Sequence, residues 1–495
     1  MLGAGMIIGI DIGTQSLKAV VTDPTLQVIG EGAVPYQPTY PAPGCAEQDP
    51  HLWERALGPA IVAALKQADV PPREIKALGV CGQLDGCIAV DERGDPLGPC
   101  LIWTDRRAQA EVLDVPVELI RSRTGLVRDA SHMAAKIRWL LRHDASAAKA
   151  ACFHQPVSYM VERLTGVSVM DHALASMGMF YAIEHRRYDT ELLDRFGIAP
   201  DLLPPLAEAQ AKAGPLSTAG AELTGLPAGI PVAVGTGDDF SNALGAGLIA
   251  PGTFEVTLGT GEVVGAIHPK PVIDPGALVE TTAYPSGAYF LKNPGWLSGG
   301  AVVWLRDVMG FANFESMDAE AALAPAGSDG VIFFPALTGA LAPEWHAGAR
   351  GCFYGLTPSH GRGHLARALL EGCAFAMRDV ADRLRELGVE INRLLLLGGG
   401  ARSRIWTQMR ADILGMPGQV AARVDTSPVG AAMLAAVAGG IVADLRTAAA
   451  LVSREPARIV EPDKGNEAAY AEAYQRYRKL FESLRPLFET GGEVT

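Results

Sequence analysis

Residues 6–21, MIIGIDIGTQSLKAVV, place a short polar turn with a glycine between two apolar runs. β-Branched residues on both sides of such a turn predict a hairpin. The polar residues at its tip are Asp11, Thr14, Gln15, Ser16 and Lys18. A tip of this kind suits a phosphate, because turn N–H groups and hydroxyls donate hydrogen bonds, lysine adds positive charge and aspartate can hold hydrated magnesium. An ordinary surface hairpin is the alternative, and the rest of the chain must decide.

The same pattern returns near the middle of the chain. Residues 253–267, TFEVTLGTGEVVGAI, again set a Gly-Thr turn, Gly259 and Thr260, between two apolar strands. A repeated strand–turn–strand unit predicts two similar domains, and a chain of 495 residues is too long for one core. We therefore predict an α/β protein with domains at residues 1–249 and 250–495.

A third glycine-rich turn, residues 398–401, follows the apolar strand Leu394 to Leu397. Three such turns are what a nucleotide clamped between two lobes needs. The first two would grip phosphates from opposite sides, and the third would let adenosine lie against backbone. None of them has the spacing of a Walker A loop or of a dinucleotide fingerprint in the right context.

Asp238 directly follows an apolar strand and a Gly-Thr-Gly turn, close to the predicted domain boundary. A carboxylate at that place can accept the proton of a substrate hydroxyl as the hydroxyl attacks a γ-phosphate. The alternative is that Asp238 or Asp239 caps the helix that follows. Two adjacent aspartates permit both roles.

Polar residues also follow two strands of the first half, in CGQLDG at residues 81–86 and in WTDRR at residues 103–107. Ligands of open α/β sheets bind at such strand ends. We expect Lys136 and Trp139 to act in packing, and Arg106 and Arg107 to pair with nearby acids, with a direct substrate contact from Arg106 left open. Structural or surface roles are expected for His132, His154, His346 and His360.

Composition excludes several classes of protein. With 55 acidic and 42 basic side chains the formal net charge is -13, which argues against a nucleic-acid partner. The N-terminus shows no leader pattern, and the run Val429 to Ala443 is shorter than a bilayer span and predicts a buried helix, so no membrane partner is expected. Seven scattered cysteines without a CxxC pair indicate reduced thiols and a cytoplasmic location. The tail from Thr490 is expected to fray.

Two long segments carry a resemblance to a known family. GCFYGLTPSHGRGHLARALLE at residues 351–371 and GGGARSRIWTQMRADILGMP at residues 398–417 resemble the C-terminal signature and the adenosine-binding stretch of the FGGY carbohydrate kinases. The likeness spans Ile7 to Pro486, although Met133 departs from the N-terminal signature. The resemblance implies two ribonuclease H-like domains of the actin, hexokinase and Hsp70 type around a central ligand cleft. The first domain would bind the sugar and carry the phosphate loop, the second would bind the nucleotide, and ATP and Mg2+ would lie in the cleft.

Carried over position by position, the resemblance implies that Asp238 is the catalytic base and that Asp11 is the magnesium-associated aspartate. The positions that match nucleotide-binding ones are Thr14, Gln15, Ser16, Lys18, Gly259, Thr260, Gly299, Gly399, Gly400, Ala401 and Arg404. The positions that match sugar-contacting ones are Leu84, Asp85, Trp103 and Asp239. Trp103 would present a flat apolar wall, and the carboxylates would accept hydroxyl hydrogens.

The acceptor implied first is a ketopentose, D-xylulose, phosphorylated to D-xylulose 5-phosphate. Leu84-Asp85 and Asp238-Asp239 stand where the family's xylulose kinases carry Met-His and Asp-Asn, and Asp85 resembles a glutamate of the glycerol kinases. Because carboxylates only accept hydrogen bonds, another ketose or polyol such as ribulose, erythritol or glycerol stays open. A non-catalytic ATP switch like actin or Hsp70 is the alternative of another class. A homodimer is left open, as is whether the cleft is open or closed without ligand.

Overall fold

The computed structural model describes residues 5–452 and 457–490. The start of the chain, where no leader was expected, and the tail beyond Thr490 lie outside the described residues. The strands are β1 Met6–Ile12, β2 Ser16–Thr22, β3 Val28–Pro35, β4 Glu47–Gln48, β5 Ile75–Gly82, β6 Ile88–Val90, β7 Cys100–Leu101, β8 Cys152–His154, β9 Met170–Asp171, β10 Tyr181–Ala182, β11 Arg187–Tyr188, β12 Leu206–Ala207, β13 Lys212–Pro215, β14 Pro231–Ala233, β15 Thr236–Gly237, β16 Gly252–Leu258, β17 Gly261–His268, β18 Glu280–Ala283, β19 Tyr289–Leu297, β20 Ile332–Phe334, β21 Cys352–Tyr354, β22 Ile391–Leu397, β23 Gly418–Val420 and β24 Arg458–Val460.

The helices of the described residues flank these strands. They are α1 Pro50–Ala68, α2 Val117–Thr124, α3 Met133–His143, α4 Pro156–Thr165, α5 His172–Ser176, α6 Thr190–Phe196, α7 Thr218–Thr224, α8 Asp238–Gly245, α9 Gly299–Val308, α10 Phe314–Leu323, α11 Arg362–Glu386, α12 Arg404–Leu414, α13 Ser427–Ala438, α14 Leu445–Val452 and α15 Glu467–Thr490. Within the described ranges, none of them combines the length and the apolar character that a membrane crossing requires.

Two seven-stranded sheets of the described chain share one topology. The first runs β13-β14-β5-β1-β2-β3, with β15 paired to β5, and the second runs β18-β19-β17-β16-β22-β23-β24. In each sheet an antiparallel meander, β1-β2-β3 or β16-β17-β19, is followed by a parallel strand, β5 or β22. The two ribonuclease H-like units are therefore confirmed, whereas their boundary at residues 249 and 250 stays a prediction.

Local sequence signals account for the first unit. The predicted hairpin is present, with Ile10 opposite Ala19 and Asp11 opposite Lys18. Helix α1 begins where Asp49-Pro50 predicts it, because the Asp49 side chain accepts a hydrogen bond from the His51 N–H as an N-cap. Its buried stripe, which includes Trp53 and Leu57, covers β2 and β3.

Helix α13 joins the two halves. It follows β23 in the second half, yet it packs on β1 and β5 of the first sheet and crosses α8. Glycines make this approach feasible: a Cβ at Gly79 would lie 2.0 Å from the Ala431 carbonyl oxygen, and one at Gly430 would lie 2.0 Å from that of Ser241. The buried helix predicted from Val429 is confirmed, although it ends at Ala438.

The carboxyl ends of the parallel strands position the site. β1, β5 and β15 run parallel in the first sheet, and β16, β22 and β23 run parallel in the second. The turns that follow them therefore lie at one edge of each sheet, where α/β proteins bind ligands.

Candidate active site

The first phosphate turn lies between β1 and β2 and is closed by a hydrogen bond from the Gly13 N–H to the Ser16 carbonyl, 3.0 Å long. Lys18 Nζ lies 4.0 Å from Asp11 Oδ2 across the hairpin. Lys18 also forms an ion pair with Asp425, which precedes α13. The turn thus presents a cation that both halves of the chain hold in place.

The same turn contacts the predicted acceptor side. The Trp103 indole N–H donates to Thr14 Oγ1 at 3.1 Å, and the Gln48 amide donates to the Thr14 carbonyl at 2.6 Å. Trp103 remains 48% exposed, so about half of the residue is accessible to a ligand. Gln15 is exposed at the tip.

The second phosphate turn lies between β16 and β17. The Thr260 carbonyl accepts hydrogen bonds from the N–H groups of Ser298 and Gly300, at 3.2 and 3.0 Å. A Cβ at Gly299 would lie 2.2 Å from the Gly259 carbonyl oxygen, so only glycine fits there. The structure therefore brings Gly259, Thr260 and Gly299 together, as predicted for a nucleotide site.

A buried ion pair that sequence reasoning missed supports this turn. Arg410 Nη1 and Nη2 lie 2.6 and 2.7 Å from the two carboxylate oxygens of Glu262, and the Ser298 hydroxyl donates to Glu262 at 2.6 Å. Both members of the pair are fully buried. Burial raises the pKa of Glu262, and the Arg410 charge opposes that rise. Such a pair is costly to break, because either charge left alone would be unsolvated.

The third turn leaves β22 at Gly398, which has φ +80°, and continues as a 3₁₀ turn over Gly399–Arg402. A Cβ at Gly400 would lie 2.7 Å from the Trp406 ring, which in turn lies 4.8 Å from the Arg410 guanidinium. The second and third turns are thus connected through Glu262, Arg410 and Trp406.

A cavity of about 390 Å³ opens beside this third turn. Its wall is apolar where Leu396 and Val420 lie and cationic where Arg402, Arg404 and Arg458 lie. Among the described residues, none of these three arginines has a carboxylate within ion-pair distance. Burial and the nearby Arg404 charge lower the pKa of Arg458. An apolar wall with unpaired cations suits a base and its phosphates, and sequence reasoning found only Arg404 of the three.

Asp238 begins helix α8 at the end of β15. The turn before it needs glycine: Gly235 has φ +81°, and a Cβ at Gly237 would lie 1.9 Å from the Leu84 side chain. Gly237 occupies the N-cap, and Asp238 Oδ1 accepts only the neighbouring Asp239 N–H, at 2.9 Å. The capping alternative is therefore not observed. Burial, followed by the charges of Asp239 and Asp11, raises the pKa of Asp238 well above its ordinary value.

Asp11 is the residue that could hold magnesium. Burial and the Asp425 charge raise its pKa to about 7, against the effect of Lys18. In residues 5–452 and 457–490, no three His, Cys, Asp or Glu side chains converge as a metal cage. This fits Mg2+, which keeps several waters and binds through one or two carboxylates and substrate phosphates.

Asp85 lies at the end of β5 with its backbone fixed. Its φ is +56°, its N–H donates to Gln155 Oε1 at 3.0 Å, and its carbonyl accepts from Lys136 Nζ at 2.5 Å. Lys136 also donates to the Ile102 carbonyl at 2.8 Å, next to Trp103. The lysine therefore ties together the two predicted acceptor-binding segments.

Two further cations reach the predicted acceptor residues. His132 Nδ1 lies 3.3 Å from each carboxylate oxygen of Asp85, and Lys292 Nζ lies 2.6 Å from Asp239 Oδ2. Of the two roles expected for His132, structural or surface, the structure shows the structural one, because the ring is buried against Asp85. No local sequence pattern indicates a role for Lys292, which lies on β19 in the other half of the chain.

The remaining histidines and arginines behave as expected. His154 is buried and lies 2.8 Å from Glu162, His346 packs on Phe488 and His360 accepts the Thr357 N–H. Arg106 pairs with Asp129, and Arg107 pairs with Asp105 and Glu47.

Comparison with known proteins gives one consistent result. The profiles of the N-terminal and C-terminal domains of the FGGY family of carbohydrate kinases match residues 6–245 and 255–439. The chain is 33% identical to a glycerol kinase of Thermococcus kodakarensis over 94% of its own length and 95% of the relative. It is 30% identical to the xylulose kinase of Escherichia coli, over 97% of this chain and 100% of the relative. The crystal structure of xylulose kinase from Rhodospirillum rubrum matches with a TM-score of 0.90 at 31% identity, covering 98% of this chain and all of that one.

Proposed function

The chain belongs to the FGGY family of carbohydrate kinases, and from this premise we propose that it transfers the γ-phosphate of ATP to the primary hydroxyl of a ketopentose, D-xylulose first. As a carbohydrate kinase it is a phosphotransferase with an alcohol acceptor. The observation that carries the proposal is the position of Asp238. It lies at the start of α8, where the charges of Asp239 on the acceptor side and of Asp11 beside the first phosphate turn both act on its pKa after burial.

In the proposed reaction Asp238 takes the proton of the acceptor hydroxyl. The hydroxyl oxygen forms a bond to the γ-phosphorus, the bond to the bridging oxygen of ATP breaks, and ADP leaves. Turn N–H groups and the Thr14, Ser16 and Lys18 side chains donate to the phosphates from one side, and the Gly259–Thr260 turn does so from the other. Lys292 offsets part of the negative charge around Asp238, which favours the ionised form that a base needs.

Magnesium is proposed at Asp11, with Asp425 near it. Bound there through water, the ion would supply positive charge to the transferring phosphate. Asp11 is 4% exposed, and burial first and the Asp425 charge second raise its pKa. A divalent cation bound beside it would offset both effects.

The adenosine end is proposed for the cavity beside Gly399, Gly400 and Ala401. Backbone there leaves room for a flat base, and Arg404 with Arg402 and Arg458 faces the same space. The domain boundary is proposed at residues 249 and 250, between the end of α8 at Gly245 and the start of β16 at Gly252.

The acceptor is proposed to lie between Trp103, Leu84, Asp85 and Asp239. D-Xylulose comes first because the match to xylulose kinases covers nearly the full length of both chains. A second candidate is a smaller polyol such as glycerol, which Asp85 and the 33% identity to a glycerol kinase favour. A cytoplasmic location is proposed because the seven cysteines are all free thiols.

The test is ADP release by the purified protein with ATP and Mg2+, alone and with D-xylulose, D-ribulose, L-ribulose, erythritol, D-arabitol or glycerol. We expect the largest kcat/KM with D-xylulose and little ADP without acceptor. A larger value with another compound would move the function to that substrate. ADP release that no acceptor stimulates would favour the non-catalytic ATP switch.

A further inference from the structure

Five charged side chains of alternating sign run beneath the proposed acceptor site and cross from one half of the chain to the other. His132 Nδ1 lies 3.3 Å from Asp85, and His132 Nε2 lies 4.0 Å from Glu280 Oε1. Glu280 on β18 is the cross-strand partner of Lys292 on β19. Lys292 Nζ in turn lies 2.6 Å from Asp239 Oδ2. We call these five residues, Asp85, His132, Glu280, Lys292 and Asp239, the charge series.

Burial distinguishes the middle of the series from one end. His132, Glu280 and Lys292 are 4%, 3% and 2% exposed, so each needs its charged neighbours to compensate for lost hydration. The Asp239 side chain is 32% exposed and is therefore open to a ligand. The three interior members are thus support. Of the two acidic ends, Asp239 is the one open to a ligand, whereas Asp85 is 6% exposed.

The supporting residues have defined positions. The Glu280 carboxylate accepts the Val127 N–H at 2.9 Å, which anchors β18 on the first half. The backbone of Asp85 is held by Gln155 and Lys136. The Asp85 carboxylate itself receives its cation from His132, so this contact decides how the two oxygens are turned.

Both basic members carry charge at neutral pH. Burial lowers the pKa of His132, but Asp85 and Glu280 outweigh it and raise the pKa to about 9. Burial likewise opposes charging of Lys292, and Asp239 and Glu280 overcome it, so that its pKa is raised. The two acceptor carboxylates therefore each face a cation, His132 at Asp85 and Lys292 at Asp239.

We propose that His132 and Lys292 are specificity-determining positioning residues, which hold Asp85 and Asp239 as oriented hydrogen-bond acceptors and so select an uncharged polyhydroxy compound over its aldonate. The inference rests on the proposed function and narrows its substrate class. Ionised carboxylates accept hydrogen bonds from hydroxyl groups and offer none in return. The two cations are already paired, so the carboxylate of an aldonate would meet negative charge without a counter-ion.

The experiment measures acceptor binding by calorimetry in the presence of a non-hydrolysable ATP analogue, and turnover by ADP release. The compounds are D-xylulose, glycerol, D-arabitol and the aldonate D-arabinonate. The variants are His132→Gln and Lys292→Met. His154→Gln is the matched control, because His154 is an equally buried histidine paired with a glutamate, Glu162, in the same half.

We expect wild type to bind an uncharged compound at least about tenfold more tightly than the aldonate. His132→Gln should weaken binding of that compound about tenfold while nucleotide affinity changes less than about twofold, because one charge-assisted contact is lost. Lys292→Met should weaken binding similarly and also change kcat, since Lys292 acts next to Asp238. His154→Gln should leave acceptor affinity unchanged even where it lowers stability.

A double substitution distinguishes a His132 that acts by positioning Asp85 from a His132 whose loss disturbs the fold in general. In the background of Asp85→Asn, His132→Gln should weaken acceptor binding less than about twofold, because the carboxylate it positions is gone. Equal acceptor affinity for His132→Gln and wild type, or full additivity with Asp85→Asn, would overturn the inference. Tighter binding of the aldonate, or no binding of any uncharged compound, would overturn it as well. Binding without turnover would refute the proposed kinase reaction and still decide the inference through the affinities.

Discussion

The nucleotide side and the acceptor side of this cleft are built in different ways. On the nucleotide side, turns of a few consecutive residues, at 11–18, 258–261 and 398–404, present backbone groups and glycines. On the acceptor side, single side chains from five separated positions are linked by three ion pairs and by the cross-strand neighbours Glu280 and Lys292, and the series joins the two halves. The backbone shape of each turn follows from local sequence, whereas the charge series forms only in the complete fold.

Asp238 lies where the two sides meet, so its loss should have the largest effect. Asp238→Asn keeps size and shape but cannot take the proton, and kcat should fall about 10³-fold. ATP affinity should change little, because the phosphate turns are untouched. Steady-state kinetics and ATP calorimetry provide the check, with Asp239→Asn as the companion variant that should mainly raise the acceptor KM. Retention of most activity by Asp238→Asn would remove it from the role of base.

On the nucleotide side, Arg410→Met should break the fully buried ion pair with Glu262 that supports the second phosphate turn. Leaving Glu262 charged and unpaired in the core should cost about 3–5 kcal/mol in the free energy of unfolding. The ATP KM should rise, because Glu262 also fixes Ser298 next to the second turn. Urea unfolding measures the loss in the free energy of unfolding, and steady-state kinetics measure the ATP KM. The double variant Glu262→Gln/Arg410→Met should recover part of the loss, and no recovery would show that the pair is not what holds the turn.

The buried histidine of the acceptor side, His132, should make the free energy of unfolding depend on pH, and so should His154. His132 and His154 have pKa values raised to about 9 from the ordinary 6.5. The folded state therefore binds these protons more tightly than the unfolded state, and the stability that this confers is complete below pH 6.5 and is lost as pH rises through 9. The loss should reach at most about 3 kcal/mol for each histidine.

Unfolding by urea at several pH values between 6.5 and 9 measures this loss. His132→Gln and His154→Gln should each flatten the profile by a similar amount. Only the first should also weaken acceptor binding. A profile that neither variant changes would assign the dependence to other groups.

The smallest effect is expected at the contact between the two sides. Trp103→Phe removes the hydrogen bond to Thr14 but keeps an aromatic wall, and the acceptor KM should rise about two- to fivefold with kcat nearly unchanged. Substrate titrations measure it. A larger change in the ATP KM than in the acceptor KM would assign Trp103 to the nucleotide side instead.

The sequence predicted those features of the fold that depend on a local pattern of residues. The hairpin at β1 and β2, the N-cap at Asp49 and the repeat at β16 and β17 follow from alternation, capping and glycine turns, and the structure has all of them. The same patterns identified Asp238, because a strand and a glycine turn precede it. The proposed roles of these residues stay predictions.

The contacts that the sequence did not predict join residues that are far apart in the chain. Lys292 lies 53 residues from Asp239, and Arg410 lies 148 from Glu262, so neither contact leaves a spacing signal. A structural or surface role is predicted for His132 because it lies in no turn that meets Asp238 by pattern, and its contact with Asp85 forms only in the folded chain. Only the topology that places β18 and β19 against the first half brings these charges together.

In the proposed reaction the γ-phosphate goes from ATP to a primary hydroxyl of a ketopentose. Phosphorus NMR of a reaction containing ATP, Mg2+ and D-xylulose follows that transfer itself. A new phosphomonoester resonance should grow in step with ADP and should be absent with Asp238→Asn. ADP formed together with inorganic phosphate and no phosphomonoester would contradict the proposed reaction.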